Sequence, residues 1–185
     1  MKPGIITISG APGSGKSSVA RMIRELYPEP ITVISMSKIA RLLSETYDDK
    51  TIFTGDKFPN EVPLMRMLTT LDARSPNKIT IVEGMPRHLE QYYDLKGKFR
   101  DICMIMLECD NTVAFQRITA RGDYLDDYSL LLTRFTKMSE YYNEMISKIP
   151  SEEYHSVYTT NNTIKSIADY IIKEIITPYV NTRAR

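Results

Sequence analysis

Apolar and polar positions along the 185-residue chain alternate between two textures. Short, largely apolar and β-branched runs occur at residues 5–9, 31–35, 79–82, 102–107 and 156–159, and each reads as a strand. Between them, apolar residues recur at three- and four-residue spacing, as at Val19, Met22, Ile23 and Leu26 or at Ile39, Ala40, Leu42 and Leu43. That spacing predicts helices over 15–27, 37–47, 60–71, 89–95, 110–120 and 129–149, and a closing helix from Asn162 or Thr163 to about 176. Ser37, Asn60 and Asp110 or Asn111 stand where helix caps are expected. Pro28-Glu-Pro30, the polar stretch 48–59, Ser75-Pro-Asn77, Gly84-Met-Pro86, the acidic turn 122–128, Pro150 and Pro178 supply the breaks. The polar end, 181–185, is expected to fray.

Strands alternating with helices predict an α/β domain: one parallel five-stranded sheet with helices on both faces. Ligands of such sheets gather beyond the carboxyl ends of the strands. Residues 10–17, 35–38 and 83–87 all fall at those ends and are expected to line one cleft. The chain reads as a single domain over 1–185, with no internal repeat or linker.

The first of these segments carries the strongest chemistry. Gly10-Ala-Pro-Gly-Ser-Gly-Lys-Ser17 follows a strand and opens a helix. This is the phosphate-loop pattern in its proper setting, which predicts a three-layer P-loop NTPase fold. Glycines let backbone amides curl round a polyphosphate, and the new helix adds its positive end. Lys16 can reach the outer phosphates, and the Ser17 hydroxyl can ligate Mg2+. A second segment, Ile79-Thr-Ile-Val-Glu-Gly-Met-Pro-Arg87, delivers Glu83 to a strand end, where a carboxylate can hold a metal-bound water. Arg87 follows a Gly-x-Pro turn and can fork onto phosphate oxygens. A third set is Arg117, Arg121 and Arg134. Phosphoryl transfer needs fixed cations, but on spacing alone these arginines read equally well as surface partners of Asp123, Asp126 and Asp127. Arg41 alone could be a solvated helix-face charge.

Composition narrows the picture. Charged residues are a quarter of the chain and the formal net charge is +1, which gives no support to a nucleic-acid or membrane-surface role. No apolar run reaches membrane-spanning length, and the start reads as a strand rather than a leader. Cys103 and Cys109 fit no zinc spacing and read as buried, inert thiols of a reducing, cytoplasmic setting. His88 and His155 form no ligand pair, Tyr141 and Tyr142 read as helix-face packing, and Met65 and Met67 as core filler.

Taken together, these residues resemble the adenylate kinase family of nucleoside monophosphate kinases. Gly10-Ala-Pro-Gly-Ser-Gly-Lys-Ser-Ser18 is similar to that family's phosphate loop, so Gly13, Ser14, Gly15, Lys16, Ser17 and Ser18 are implied to bind ATP. Gly84-Met-Pro-Arg-His-Leu-Glu-Gln91 is similar to its Gly-Phe-Pro-Arg-x-x-x-Gln segment, which implies that Gly84 and Arg87 hold the AMP phosphate side and Gln91 reads adenine. Ile34-Ser-Met-Ser-Lys-Ile-Ala-Arg41 resembles the start of the monophosphate-binding helices (36–73), implying Ser35 and Arg41 at AMP. Gly55-Asp-Lys-Phe-Pro-Asn-Glu-Val62 resembles a stretch bordering the AMP pocket, with Phe58 and Val62. Gln116-Arg-Ile-Thr-Ala-Arg-Gly122 looks like the approach to a short lid (121–128), implying Arg117 against the ATP adenine and Arg121 on phosphate. Arg134 would be a further catalytic arginine, and residues 160–162, Asn161 among them, would border the ATP base.

The resemblance implies reversible transfer from Mg-ATP to AMP giving two ADP, by a monomer. Lys16, Arg87, Arg121 and Arg134 would be catalytic, with Mg2+ steadied by Ser17 and Glu83. The sequence departs from the family at Glu83 (usually aspartate), Met36 (usually threonine), Lys38 (usually aspartate) and Tyr124 (often arginine), and its lid lacks zinc cysteines. A kinase for CMP, UMP or a deoxynucleotide remains open on the residues, as does a nucleotide-binding switch module without transfer activity.

Overall fold

In the computed structural model of the chain, residues 4–47, 61–74, 79–99, 101–120 and 128–183 are described. Five strands, β1 (Gly4–Gly10), β2 (Ile31–Ser35), β3 (Ile79–Glu83), β4 (Ile102–Glu108) and β5 (Tyr154–Tyr158), pair in the order β2-β3-β1-β4-β5. Every pairing is parallel, as the alternation of strands and helices predicts. The central strands are apolar on both sides because helices cover both faces.

One face buries Ile6, Ile8, Ile81, Ile105 and Leu107 against Val19, Ala20 and Ile23 of α1 (Lys16–Leu26) and Ile167, Ala168 and Ile171 of α7 (Ile164–Ile171). The other buries Ile5 and Val82 against α2 (Met36–Tyr47), α3 (Glu61–Arg74) and α4 (Leu89–Lys98). On that same side Met104 and Met106 pack on Tyr142, Met145 and Ile149, residues of α6 (Tyr128–Lys148) and its end. A short α5 (Asn111–Thr119) joins Phe135 of α6 through Ala114 and Ile118. Met65 is core filler as expected, and Tyr142 is helix-face packing. Among the described residues no helix is long and apolar enough to cross a membrane.

Several expectations need correction. The helix predicted over 89–95 runs on to Lys98, because Leu95 packs into the core and carries the turn beyond it. Ser37 does not cap α2: the helix starts at Met36 directly from β2, and the Ser37 hydroxyl instead meets that of Ser35 at 3.1 Å. Asp110 occupies the N-cap position of α5 without capping it, since its carboxylate accepts from the Tyr158 hydroxyl at 2.5 Å. Thr163 does cap α7, accepting from the Ser166 amide at 3.1 Å. Asn60 lies outside the described residues.

The largest correction is at the C-terminal end. A proline should stop a helix, because its ring crowds the carbonyl four residues back. Here Ile172–Ile176 adopt the wider π-helical bonding just before it. The helix then resumes as α8 (Thr177–Arg183), with Pro178 near its start where no amide donor is needed. The expected fray is thus ordered through 183, and Tyr179 explains why. Its ring and Val180 pack on the core, and its hydroxyl donates to the Asp101 carbonyl at 3.1 Å.

The cysteines also divide. Cys103 is buried among β-sheet residues, and burial pushes its thiol up to about 12. Cys109 is only half-buried, against the expectation of two buried thiols, because it lies just past the end of β4, where the chain turns out of the sheet.

Two outcomes follow from this packing. Tyr179→Ala is expected to lower stability by about 1–3 kcal/mol in urea unfolding, through lost burial and a lost hydrogen bond; an unchanged midpoint would show that α8 does not brace the sheet. Alkylation of the folded protein near pH 8, followed by mass spectrometry, is expected to label Cys109 while sparing Cys103; equal labelling would contradict the burial difference.

Candidate active site

β1 ends where the phosphate-loop pattern begins, and two close approaches shape the turn. Gly10 and Gly13 both sit at positive φ (146° and 80°). A Cβ on Gly10 would lie 2.4 Å from the Leu107 carbonyl oxygen, and one on Gly13 would lie 2.2 Å from that of Ala114. The loop is therefore wedged between β4 and α5, and only residues without side chains fit there. Gly15 is the N-cap of α1, so the loop empties directly into a helix N-terminus. Lys16 folds back over the turn and donates to the carbonyls of Gly10 and Ala11, at 2.9 Å each.

The strand ends bring the second group of residues to the same place. Glu83 closes β3 and is buried. One of its oxygens accepts from Ser17 Oγ at 3.1 Å, and the other accepts from Ser35 Oγ at the end of β2. Gly84 turns at φ 88°, its amide bonded to the Ile8 carbonyl, and its own carbonyl accepts from Arg87 Nε at 3.0 Å. The Arg87 amide donates to Gln91 Oε1 at 2.8 Å, so buried Gln91 braces the turn that presents Arg87.

The loop and the strand ends line one cleft of about 910 Å3, with Gln91 buried outside its lining. Gly13, Lys16, Ser17, Ser18, Ser35, Arg41, Glu83, Gly84 and Arg87, all singled out in the sequence, share it. Ser14 lies under the loop with its hydroxyl buried and unpartnered among the described residues. Arg117 stands behind the loop, its guanidinium on the carbonyls of Gly13 (3.5 Å) and Thr159 (3.2 Å) and on Cys109 Sγ (3.4 Å). Asn161, left-handed at φ 62°, follows in the exposed turn after β5. Phe58 and Arg121 lie outside the described residues, as do the side chains of Val62 and Arg134. Arg134 is nonetheless on α6, whose Phe135 and Met138 line the cleft.

The donor set suits Mg2+ rather than a softer ion. Ser17 and Glu83 offer hard oxygens a hydrogen-bond length apart, with the phosphate loop alongside to complete a shell with nucleotide oxygens and water. Among the described residues no group of three or more His, Cys, Asp or Glu side chains could hold a metal on protein ligands alone.

Sequence reading missed two charged contributors, Arg21 and Arg24, whereas Lys38 lies in the stretch 35–38 expected at the cleft. Arg21, Arg24 and Lys38 line the same cleft, the first two on α1 and the third on α2. A signal existed: Ser17, Arg21 and Arg24 recur at helical spacing, so both arginines share one stripe of α1 with Ser17 of the phosphate loop.

Known proteins align with this geometry. A family model described as an AAA domain matches residues 6–129. An adenylate kinase of Campylobacter jejuni is 28% identical over 187 residues, spanning 93% of this chain and 95% of its own length. One from Helicobacter hepaticus is 30% identical over 134 residues, 66% of this chain and 70% of its own. Among solved structures, a gluconokinase from Sinorhizobium meliloti 1021 superposes with a TM-score of 0.65 over 98% of this chain and 97% of that one. At 17% identity this is a likeness of fold. With the glycine-wedged loop, the parallel sheet order and the matched span in agreement, the chain belongs to the AAA domain family, as a nucleotide-binding kinase of the P-loop type related to the adenylate kinases.

Proposed function

We propose that the protein transfers the γ-phosphoryl group of Mg-ATP to AMP, reversibly, giving two ADP. The observation that carries this reading is that one cleft gathers the phosphate loop and two further arginines singled out in the sequence. The phosphate loop with Lys16 shares that lining with Arg41, Arg87 and the buried acid Glu83, which is bonded to Ser17.

On this reading the loop amides, Ser14, Ser18 and Lys16 grip the donor phosphates, and Arg117 and Asn161 border the donor base. Arg41 and Arg87 hold the acceptor phosphate; Ser35, Phe58, Val62, Gly84 and Gln91 border the acceptor. The bound Mg2+ would neutralise charge on the donor phosphates, held from the protein side by Ser17 and Glu83. The acceptor is already an ionised phosphate, so alignment and charge neutralisation matter more than a strong base. Arg121 and Arg134 are assigned to the cation set on resemblance, with 121–128 as lid and 36–73 as acceptor-binding segment.

One observation favours a wider acceptor range. Met36, where the family usually has a threonine facing the base, is buried in the core at the start of α2 and contributes no hydroxyl to base selection.

A coupled assay with ATP and a panel of AMP, CMP, UMP, deoxynucleotides and gluconate tests the reading. ADP formation is expected to be fastest with AMP. Lys16→Ala and Arg87→Ala are each expected to lower turnover about 10²- to 10⁴-fold with the fold intact by circular dichroism. Nucleotide binding without transfer to any acceptor would instead indicate a switch module, and near-normal turnover in either variant would reject its role.

A further inference from the structure

The cleft does not stop at the phosphate loop and Arg87. It continues down the outer side of α1, past Arg21 and Arg24, and along Thr32, Val33 and Ile34 of β2. β2 is an edge strand that pairs with β3 alone among the described strands, so this extension is a groove between a sheet edge and a helix stripe. From Ser17 to Arg24 the stripe runs about 10 Å at 1.5 Å per residue. That is comparable with the length of a nucleoside. Lys38 joins the same lining from the first turn of α2, just after β2.

Charge in the groove is one-sided. Lys16, Arg21, Arg24, Lys38, Arg41 and Arg87 line the cleft, and among the described residues Glu83 is the one acid in its lining. Lys16 and Arg87 are tied to loop and turn carbonyls. Arg21, Arg24 and Lys38 are exposed, and among the described residues none has a hydrogen-bond or ion-pair partner. Surface arginines that serve only solubility are commonly balanced by nearby acids. Three uncommitted cations facing one groove, continuous with a phosphate-handling site, form instead a receptor for negative charge.

We propose that Arg21, Arg24 and Lys38 form a second anion subsite, which takes a phosphate ester carried by the acceptor in addition to the phosphate that receives the transferred group. The preferred acceptor is then a nucleoside monophosphate bearing a further phosphate on its ribose, either as a terminal monoester or as the diester of a following nucleotide. This rests on the reading of the Arg41–Arg87 end as the acceptor site. The reaction is unchanged in its balance: the γ-phosphoryl passes to the acceptor 5′-phosphate oxygen, the bond to the ADP oxygen breaks, and ADP leaves.

The test is calorimetric titration of the full-length protein, with and without a non-hydrolysable ATP analogue and Mg2+, using AMP, adenosine 3′,5′-bisphosphate, adenosine 2′,5′-bisphosphate and the 5′-phosphorylated dinucleotide pApA. At least one of the last three is expected to bind about tenfold more tightly than AMP, the gain of one charge-assisted phosphate contact. Arg21→Ala/Arg24→Ala is expected to erase that preference while AMP affinity stays within about twofold; both side chains are exposed, so the fold is retained. A bisphosphate preference identifies a terminal phosphate, and a pApA preference identifies a phosphodiester. Equal binding of all four ligands, or a preference that survives in the double variant, overturns the proposal, as does an equal loss for AMP and the others. AMP transfer assayed in parallel separates the two readings. Transfer to AMP without a second-phosphate preference sinks this inference alone, whereas an Arg21- and Arg24-dependent preference without transfer sinks the kinase reading alone.

Discussion

The site depends on a steric constraint before it depends on charge. The loop between β1 and α1 runs so close to neighbouring backbone that ideal Cβ atoms at Gly10 and Gly13 would fall within 2.4 Å of carbonyl oxygens on β4 and α5. Without those contacts the loop could bow outwards, and its amides would no longer converge on one point. With them, the end of the central strand, the turn and the first turn of α1 become a single rigid piece. Arg117 reinforces it from behind by gripping Gly13 and Thr159, which ties the loop to the far edge of the sheet. A nest of amides held in advance needs no reordering when a polyphosphate arrives, and preorganisation of this kind makes electrostatic stabilisation effective.

Glu83 performs the corresponding task on the other side. Its two oxygens reach Ser17 on α1 and Ser35 on β2, so one carboxylate joins three consecutive strand-end segments. A buried carboxylate is expensive to keep unless its lone pairs are engaged. Here hydroxyls engage them, and hydroxyls can rotate to other partners at little cost. The arrangement stabilises the folded cleft while leaving the acid available to a hard cation. The longer reach of glutamate over aspartate fits the span to two serines on different elements.

Much of this was legible in the residues, and what was hidden follows a pattern. The strand runs and the phosphate loop were readable because their signals are local: β-branched runs, glycine spacing and a helix opening on Lys16. Gln91 could be placed near Arg87 by spacing, but its hold on the Arg87 amide depends on the turn that the chain takes at Gly84. The C-terminal helix was misjudged because Pro178 is a strong local stop signal, and only tertiary packing of Tyr179 on the core overrides it through a π turn. Cys109 looked like a core thiol because it adjoins an apolar strand, yet the chain leaves the sheet one residue earlier.

Charge shows the same limit most clearly. Twenty-four basic and 23 acidic residues give a chain that is almost neutral, and composition alone points away from any strongly anionic ligand. The fold segregates what composition averages. It turns one stripe of α1 and the start of α2 into the cleft and leaves a single acid among the described lining side chains. Acids such as Glu144 and Glu153 are meanwhile paired with lysines on distant surfaces. Field strength at a site follows from this sorting and from the low-dielectric walls around it, not from the sum over the chain. With the total near zero, the excess of positive charge among the described lining residues makes the cleft the place that draws anions.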